Sequence, residues 1–438
     1  MTRSASESDL NTDVIKQFFS QPVVLIIGGI GIGSMMLIPG FPALQLLIVS
    51  AILTGVGLVM RRRMKLALAS PAAPETSTKE IASEAEYYRD ISNVYSLLSV
   101  EQIEMEFGYS LLPLVDEQMG GSFIDRVVML RKQFATEMGF VIPSVKLRDS
   151  SRLNPNQYAI KFKGEEIARG DVLVDHYLAL APDGVTEEID GIETTEPAFG
   201  IPAKWFSEDK RIKAELAGYT LIDPTSVIIT HLSEIIKRHA HELLTRQEVN
   251  TLLENLKKVN AVLVNDLIPS VVQMADLQKV LANLLREGVP IRDLETILET
   301  MGDYMPAVKD IDLVTEYVRQ ALKRSITRRF ADAGRIKVVT LDAQIENLIM
   351  NSVKKMETGS YLSLEPQVIQ SIVQTTANEL NKVRDLVEHS IVLTSPIVRV
   401  YFKKLIDQFI PDVVVLSFNE VDSNVQIQAL GNISMAGA

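Results

Sequence analysis

The segment Val23–Met60 constrains this chain most, because its 38 residues include no Asp, Glu, Lys, Arg or His. One helix of that length would extend about 57 Å, nearly twice the hydrocarbon thickness of a bilayer. Pro39-Gly40-Phe41-Pro42 interrupts the segment, and prolines break helices because they lack the amide hydrogen. The two halves, Val23–Ile38 and Ala43–Met60, each approach the roughly 17–25 residues that span a bilayer. The pattern predicts a transmembrane helical hairpin over 21–62; a single signal anchor or a buried soluble hairpin are the alternatives.

Charges next to this segment predict its orientation. Arg61, Arg62, Arg63 and Lys65 follow the second half, and basic residues beside a membrane helix stay in the cytoplasm. A hairpin returns to the side from which it started, so segment 1–20 and the chain after the hairpin are both expected in the cytoplasm. The absence of cysteine fits a reducing compartment and excludes disulfides and thiolate metal sites.

The rest of the chain is acidic. Residues 1–65 carry six Lys or Arg and three Asp or Glu, so the net charge of −12 leaves −15 for residues 66–438. This balance argues against nucleic acid as a partner and favours solubility or basic partners. Segment 63–101 is predicted to be a flexible linker, since Ala69–Thr78 is rich in Pro, Ala, Ser and Thr.

Periodicity predicts a mixed α and β architecture after the linker. Asp223-Pro224 begins a long helix, with Asp223 as its N-cap. Lys163-Gly164-Glu165 is typical of a turn between strands, and Val172–Leu180 is predicted to be one strand. Residues 246–330 are predicted to be almost wholly helical, and strands alternate with helices beyond them. The predicted fold class is α+β, with several cytoplasmic subdomains after a two-helix membrane hairpin.

Histidines offer the only hints of catalytic or metal chemistry. His231 and Glu234 lie about one helical turn apart, which favours a structural polar contact and leaves an acid–base pair as the alternative. His239 and His241 are two positions apart, so on a helix they are expected to point to opposite sides and not to share a metal ion. We therefore expect no metal and no cofactor.

The segment Thr194–Trp205 (TTEPAFGIPAKW) is predicted to be irregular and at the surface, because it holds two prolines and a glycine. Phe199 and Trp205, the chain's only tryptophan, either pack in the core or form an exposed apolar anchor. Composition alone favours the core and leaves both possibilities open.

Several motifs occur together in one order. They are Ile38–Pro42 (IPGFP), Phe107–Asp116 (FGYSLLPLVD), Glu193–Trp205 (ETTEPAFGIPAKW), Gly218–Asp223 (GYTLID) and Val289–Leu294 (VPIRDL). In this order the motifs resemble the FlhA, or FHIPEP, family of flagellar type III export-gate proteins over essentially the whole chain. Family members begin with about six further membrane helices, and Thr2–Glu7 (TRSASE) resembles the segment after them. The chain is therefore expected to be a C-terminal portion.

The resemblance implies a membrane-anchored docking platform in the bacterial inner membrane, and not an enzyme. It implies a nonameric homo-oligomeric ring that binds export chaperones with their late substrates, components of the export ATPase complex and other membrane export-gate proteins. The alternative from another class is a membrane-tethered hydrolase that uses His231 and Glu234.

The resemblance also implies four cytoplasmic subdomains. The first comprises 102–174 and 224–243, and the second, 175–223, is inserted within it. The third, 244–330, is helical, and the fourth, 331–438, is α/β.

By resemblance, a shallow apolar dimple between the first two subdomains receives the chaperone. Phe199 and Thr230 are expected to line it, with Ile222 and Val227 beside them. Glu196 stands where some relatives have Asp, and its charge is expected to select the orientation of the partner.

Two further positions follow from the resemblance. Gly108 matches a glycine whose flexibility affects subdomain motion, so its backbone is expected to adopt angles that a side chain would forbid. Tyr87, Tyr88 and Asp90 are candidates for the linker's aromatic–acidic contact with a neighbouring subunit, although their spacing differs from that of the family.

Overall fold

The computed structural model describes four long stretches and four isolated residues, namely 100–116, 119–182, 188–356, 359–435, Ser50, Ala51, Thr54 and Leu98. The chain divides into two units, Met1–Ser99 and Val100–Ala438. The predicted hairpin and linker lie outside the described residues, apart from helical Ser50, Ala51 and Thr54, Leu98 in a turn, and the linker's last residues, Val100 and Glu101. Among the described residues, no helix has both the length and the apolar character required to span a bilayer.

Four strands form the first sheet: β1 (Ile103–Phe107), β2 (Val145–Asp149), β3 (Gln157–Phe162) and β4 (Glu165–Asp171). The strand order is β2-β1-β3-β4, with β1 parallel to β2 and antiparallel to β3. Lys163 and Gly164, at φ of 50° and 86°, make the predicted turn between β3 and β4.

Helices cover this sheet. A 3₁₀ turn (Tyr109–Leu111) and α1 (Leu112–Val115) follow β1, and α2 (Phe123–Glu137) comes next. Four apolar side chains of α2 are buried at helical spacing and form its core-facing side: Phe123, Val127, Leu130 and Phe134. Gly139, at φ of 70°, terminates this helix.

The second sheet contains β5 (His176–Leu180), β6 (Ile192–Thr195), β7 (Pro202–Ser207) and β8 (Thr220–Ile222), in the order β6-β7-β5-β8. A 3₁₀ turn (Glu208–Lys210) and α3 (Arg211–Leu216) connect β7 to β8.

Two sequence predictions for this sheet are wrong. The strand predicted over Val172–Leu180 begins only at His176, because a turn separates it from β4. Thr194–Trp205 is not irregular throughout, since β6 and β7 pair within it as a hairpin. One proline lies in the hairpin's turn and another is the first residue of β7. Proline is tolerated at these positions because no backbone amide has to donate a hydrogen bond to a neighbouring strand there.

The long helix α4 (Pro224–Leu243) begins as predicted. The Asp223 side chain accepts a hydrogen bond from the Ser226 amide at 3.0 Å, which satisfies a free donor of the first turn. α4 contacts α2 and strands of both sheets, so it connects the first sheet with the second.

The predicted helical region is present as α5 (Arg246–Val259), α6 (Ala261–Leu267), α7 (Met274–Arg286), α8 (Leu294–Tyr304), α9 (Ile311–Ala321) and α10 (Lys323–Phe330). Thr245 caps α5 by accepting from the Glu248 amide at 3.2 Å. Pro269 and Pro290 lie between helices, where a missing amide hydrogen does not interrupt a helix.

The closing segment contains a parallel sheet of β9 (Arg335–Leu341), β12 (Ile391–Thr394), β13 (Val414–Ser417) and β14 (Gln426–Ile433), in the order β13-β12-β9-β14. Its helices and remaining elements are α11 (Ala343–Ser352), α12 (Pro366–Val383), α13 (Pro396–Ile406) and 3₁₀ turns at Arg384–Leu386 and Phe418–Glu420. The small hairpin of β10 (Val353–Met356) and β11 (Gly359–Leu362) was not predicted, because its short strands carry no apolar alternation.

The predicted mixed α and β fold class is confirmed. One apolar core extends from Ile103 to Val421 and joins the first two sheets to the helical region, while a second core fills the closing segment. Each sheet lies within one of the four predicted subdomains, whose boundaries stay predictions.

Candidate docking site

The turn between β6 and β7 presents the candidate anchor. The Glu196 amide donates to the Ile201 carbonyl at 2.8 Å, and the Gly200 amide donates to the Glu196 carbonyl at 2.9 Å. Gly200 has φ of 70°, a left-handed conformation that glycine adopts without a steric penalty. These bonds close a compact turn over residues 196–201, which we call the docking turn.

Glu196 fixes this turn from the inside. Its side chain is buried, and Oε2 accepts a hydrogen bond of 2.7 Å from the Phe199 amide. A carboxylate that accepts an amide hydrogen makes a stronger bond than a neutral acceptor does. The carboxylate thus faces the turn's own backbone, and its predicted role in orienting a partner stays a prediction.

The structure decides between the two placements of the aromatic residues. Phe199 is 59% exposed, whereas Trp205 is 4% exposed and packs in the main core. Trp205 lies on β7 between Ile192 and Leu178 of the neighbouring strands. Phe199 is left at the surface on a turn with a fixed backbone.

Glu196 lies close to the first sheet. Burial raises the pKa of Tyr158, and the nearby charges of Glu196 and Asp171 raise it further. Tyr158 therefore stays protonated, and its hydroxyl shares a hydrogen bond of 2.7 Å with Nδ1 of His231 on α4. Burial, together with the Arg238 charge, lowers the pKa of His231, so the imidazole is neutral near pH 7.

The remaining predicted dimple residues differ in exposure. Thr230 is half-buried on α4, beside His231, and Ile222 is half-buried on β8 opposite Leu178. Val227 is 1% exposed and belongs to the core, so it offers almost no surface to a partner. Its assignment as a binding residue stays a prediction, and the structure gives it a packing role.

Gly108 needs a different explanation from the predicted one. Its backbone is extended, at φ of −67° and ψ of 156°, which any residue can adopt. A Cβ added there would lie 2.5 Å from the Pro155 carbonyl oxygen and closer still to that of Asn154. Gly108 is thus required by close backbone approach, and not by unusual angles.

His231 and Glu234 do not form an acid–base pair. His231 is bonded to Tyr158, while Glu234 is 2.6 Å from Lys237 Nζ. The structural polar contact therefore describes what each of these side chains makes, although with different partners.

The prediction that His239 and His241 point to opposite sides is wrong. Their rings are nearly parallel, with centroids 6.5 Å apart, and both face Glu242. The last turn of α4 ends at Leu243, so these side chains can turn toward one carboxylate. Within the stretches that the structure describes, no group of three potential ligands could hold a metal.

The sequence model of the FHIPEP family matches residues 1–426. The chain belongs to the FHIPEP family. It is similar to the flagellar biosynthesis protein FlhA of Bacillus subtilis (strain 168), with 42% identity over 437 residues. That match covers 99% of this chain and 64% of the relative, so the chain spans less than two thirds of the relative's length.

Solved structures agree with the family. The Chlamydia pneumoniae CdsV protein has 30% identity and a TM-score of 0.70, and the match covers 76% of this chain and 98% of that chain. The nonameric SctV-C of EPEC shares the fold at 24% identity and a TM-score of 0.63, with coverage of 76% and 99%. The predicted resemblance to the FHIPEP family is confirmed.

Sequence reasoning missed further exposed apolar side chains of this FHIPEP chain. Four of them lie in the same segment as the docking turn, namely Ile192, Ile201, Ile212 and Leu216. Ile212 and Leu216 are 72% and 85% exposed and lie four positions apart on α3. Residues four positions apart lie on the same face of a helix, so this spacing could have indicated a shared exposed face. Tyr87, Tyr88 and Asp90 lie outside the described residues.

Proposed function

We propose that this FHIPEP chain is part of the export gate of a flagellar type III export apparatus and docks chaperone–substrate complexes. Phe199 carries this proposal, because it is a large aromatic side chain left exposed on a turn whose backbone is already fixed. Aromatic residues are enriched among the few side chains that dominate binding energy. A preformed turn loses little conformational freedom on binding, so more of the burial energy appears as affinity.

The surroundings of Phe199 favour a protein partner over a small molecule. Ile201 and Ile192 are also exposed on the same hairpin, and the exposed face of α3 belongs to the same sheet segment. Clustered apolar side chains with polar neighbours are typical of protein–protein contact surfaces. Glu196 acts here by holding the turn, and apolar burial supplies the affinity.

The proposed setting follows the family. The hairpin over 21–62 would anchor the chain in the bacterial inner membrane, with the larger part in the cytoplasm. CdsV has been solved in a complex with CdsO, at 29% identity to this chain and a TM-score of 0.69, which supports the binding of a second protein by this fold. We extend this to export ATPase-complex components and other membrane export-gate proteins as partners, and to a nonameric ring.

We further propose a docking role and not a catalytic one. The His231–Tyr158 hydrogen bond is buried beneath the docking turn, which suits a structural contact better than a group that must reach a substrate. Measuring ester and nucleotide hydrolysis by the purified chain tests this; turnover that His231→Ala abolishes would support the hydrolase instead.

Titration calorimetry tests the docking proposal. Export chaperones with bound late substrates are titrated into the detergent-solubilised chain, and the binding affinity is measured. Phe199→Ala is expected to weaken binding by about 2 kcal/mol or more, as for a buried hot-spot aromatic. Phe409→Ala is the matched control, because Phe409 is similarly exposed but lies in the closing segment. Equal losses in both variants, or no loss in either, would reject the docking turn as the anchor.

A further inference from the structure

The end of α4 carries a cluster of titratable side chains outside the docking turn. Glu242 Oε1 accepts a hydrogen bond of 2.8 Å from Nδ1 of His239 and lies 3.7 Å from Nε2 of His241. The two imidazole rings are 16° from parallel, with centroids 6.5 Å apart. In the stretches that the structure describes, Glu242 is the one carboxylate within 4.0 Å of either ring. We call His239, His241 and Glu242 the histidine joint.

The histidine joint lies between the first sheet and the helical region. On one side, Lys163 Nζ of the turn between β3 and β4 donates to the Glu242 carbonyl at 2.9 Å, and the Phe162 ring meets the His239 ring edge-on at 5.5 Å. On the other side, α4 packs against α7, whose last residue is Arg286. A change of charge in the joint therefore acts on both parts of the fold.

The chain enters the helical region directly after this joint. α4 ends at Leu243 and α5 begins at Arg246, so only Leu244 and Thr245 connect the two helices. The Leu244 carbonyl accepts a hydrogen bond of 2.9 Å from the Gln278 side chain on α7. The position of α5 and α7 relative to the first sheet thus depends on how firmly the end of α4 is held.

Two histidines of the joint share one carboxylate. Burial lowers the pKa of His241, the Arg286 charge lowers it further, and the Glu242 charge opposes both effects only in part. The hydrogen bond from His239 lowers the pKa of Glu242, which is ionised near neutral pH. Nδ1 of His241 is buried without a hydrogen-bond partner among the described residues, so a proton added there gains no acceptor unless the ring moves.

We propose that the histidine joint is an acid-sensitive connection between the first sheet and the helical region. One positive charge on the two histidines is balanced by Glu242. A second positive charge has no carboxylate of its own and opposes the like charge of Arg286 across the packing of α4 against α7. The joint is therefore closed near neutral pH and loosens as the pH falls through the range in which histidine titrates.

His241 determines the direction of this response. A histidine whose folded-state pKa is lowered contributes stability that is complete above its unfolded pKa, near 6.5, and is lost as the pH falls below that value. Glu242 titrates at lower pH and stays ionised in this range. Burial and the Arg238 charge also lower the pKa of His231, so the experiment has to measure the joint locally and not the stability of the whole chain.

Hydrogen exchange of the full detergent-solubilised chain at pH 7.5 and pH 5.5 provides this local measurement. Each rate is divided by the intrinsic exchange rate at that pH, which gives the protection of the amides over 240–249. Protection there is expected to fall about threefold or more at pH 5.5 in the unaltered chain. His241→Gln keeps a polar side chain that does not titrate, so the fall should be absent in this variant.

Two further variants identify the cause of the response. In Arg286→Gln, His241 still titrates but meets no cation on α7, so the fall in protection should be smaller than in the unaltered chain. His389→Gln is the matched control, because His389 is exposed in the closing segment and its ring lies against Phe330. This variant loses a histidine in the same way and should keep the full pH response over 240–249.

Circular dichroism at pH 7.5 checks that each variant is folded. If His241→Gln does not fold, Arg286→Gln decides the test by the same measurement, because Arg286 is exposed at the end of α7.

Four results would overturn the proposal. The first is equal protection of the unaltered chain at both pH values, and the second is a full response in His241→Gln. The third is an unchanged response in Arg286→Gln, which would leave burial of His241 without any repulsion across the joint. The fourth is a loss of the response in His389→Gln, which would make the pH effect a property of the whole fold.

Discussion

Arg399 and Glu287 join the closing segment to the helical region through two hydrogen bonds, Nη1 to Oε2 at 2.6 Å and Nη2 to Oε1 at 3.1 Å. Arg399 is completely buried on α13, and Glu287 follows α7. Arg399 also bonds both oxygens of Glu316, and Arg319 pairs with Glu287 and Glu420. The two segments are therefore tied by a shared buried ion network, and the loss of one member leaves charged partners unpaired.

Arg399→Ala is expected to lower the free energy of unfolding by about 3–5 kcal/mol, because it leaves buried Glu316 without its ion-pair partner and removes one of the two arginines that pair with Glu287. Urea denaturation of the chain in detergent, followed by tryptophan fluorescence and circular dichroism, measures this loss. Arg324→Ala is the control, since that side chain is 90% exposed and lies 3.7 Å from Asp422, and its effect should stay within about 0.5 kcal/mol. Comparable losses in the two variants would show that the network does not stabilise the fold.

Glu287 predicts a specific dependence on pH. Burial alone would raise its pKa, but the charges of Arg319 and Arg399 outweigh burial and hold the pKa at about 2, below the usual 4.5. A depressed folded-state pKa contributes stability that is complete above pH 4.5 and is lost as the pH falls toward 2.

Glu287→Gln should therefore remove roughly 2 to 3 kcal/mol of the stability difference between pH 5.5 and pH 2.5. Parallel denaturation curves of the unaltered chain and the variant across this range would measure the difference. The same slope in both proteins would mean that Glu287 does not titrate with folding. Glu316 has a raised pKa because of its burial, so its contribution has the opposite sign.

Glu196→Ala tests whether chaperone affinity depends on how Phe199 is positioned, because this variant keeps the Phe199 side chain. Without the carboxylate, the Phe199 amide loses its acceptor and the docking turn gains conformational freedom, so chaperone affinity should fall by about 1–2 kcal/mol. Calorimetry gives the affinity, and Glu196→Asp reveals whether a shorter carboxylate restores the turn. Unchanged affinity in the alanine variant, with Phe199→Ala still impaired, would show that the hydrogen bond does not position the anchor.

The sequence predicts structural features that depend on residues close together in the chain. Asp223 caps its helix as expected, because the capped amide lies three positions away. The sequence did not decide whether Phe199 or Trp205 is exposed, because that choice depends on which side of the second sheet the helices cover.

Contacts between distant residues were beyond sequence reasoning altogether. Arg399 and Glu287 are 112 positions apart, and neither residue type is normally expected to be buried. Gly108 is a further case, because its close approach to a distant backbone segment is not visible in the sequence, which suggests only unusual backbone angles.

Gly108→Ala is expected to destabilise the fold, because the added methyl group would overlap the carbonyl oxygens of Asn154 and Pro155. The Gly108 amide also donates to the Gln157 carbonyl at 2.8 Å, so moving the backbone away would weaken this bond. We expect a loss of about 3 kcal/mol, at the upper end of the usual range for overpacking. Gly431→Ala is the control, since its Cβ would first meet the flexible end of Glu379 at 3.4 Å. Melting curves of both variants, with swimming assays at two temperatures, test this. A Gly108 variant that melts normally but swims poorly would restore a role in subdomain motion, whereas early melting with matching loss of motility makes it a glycine of close backbone packing.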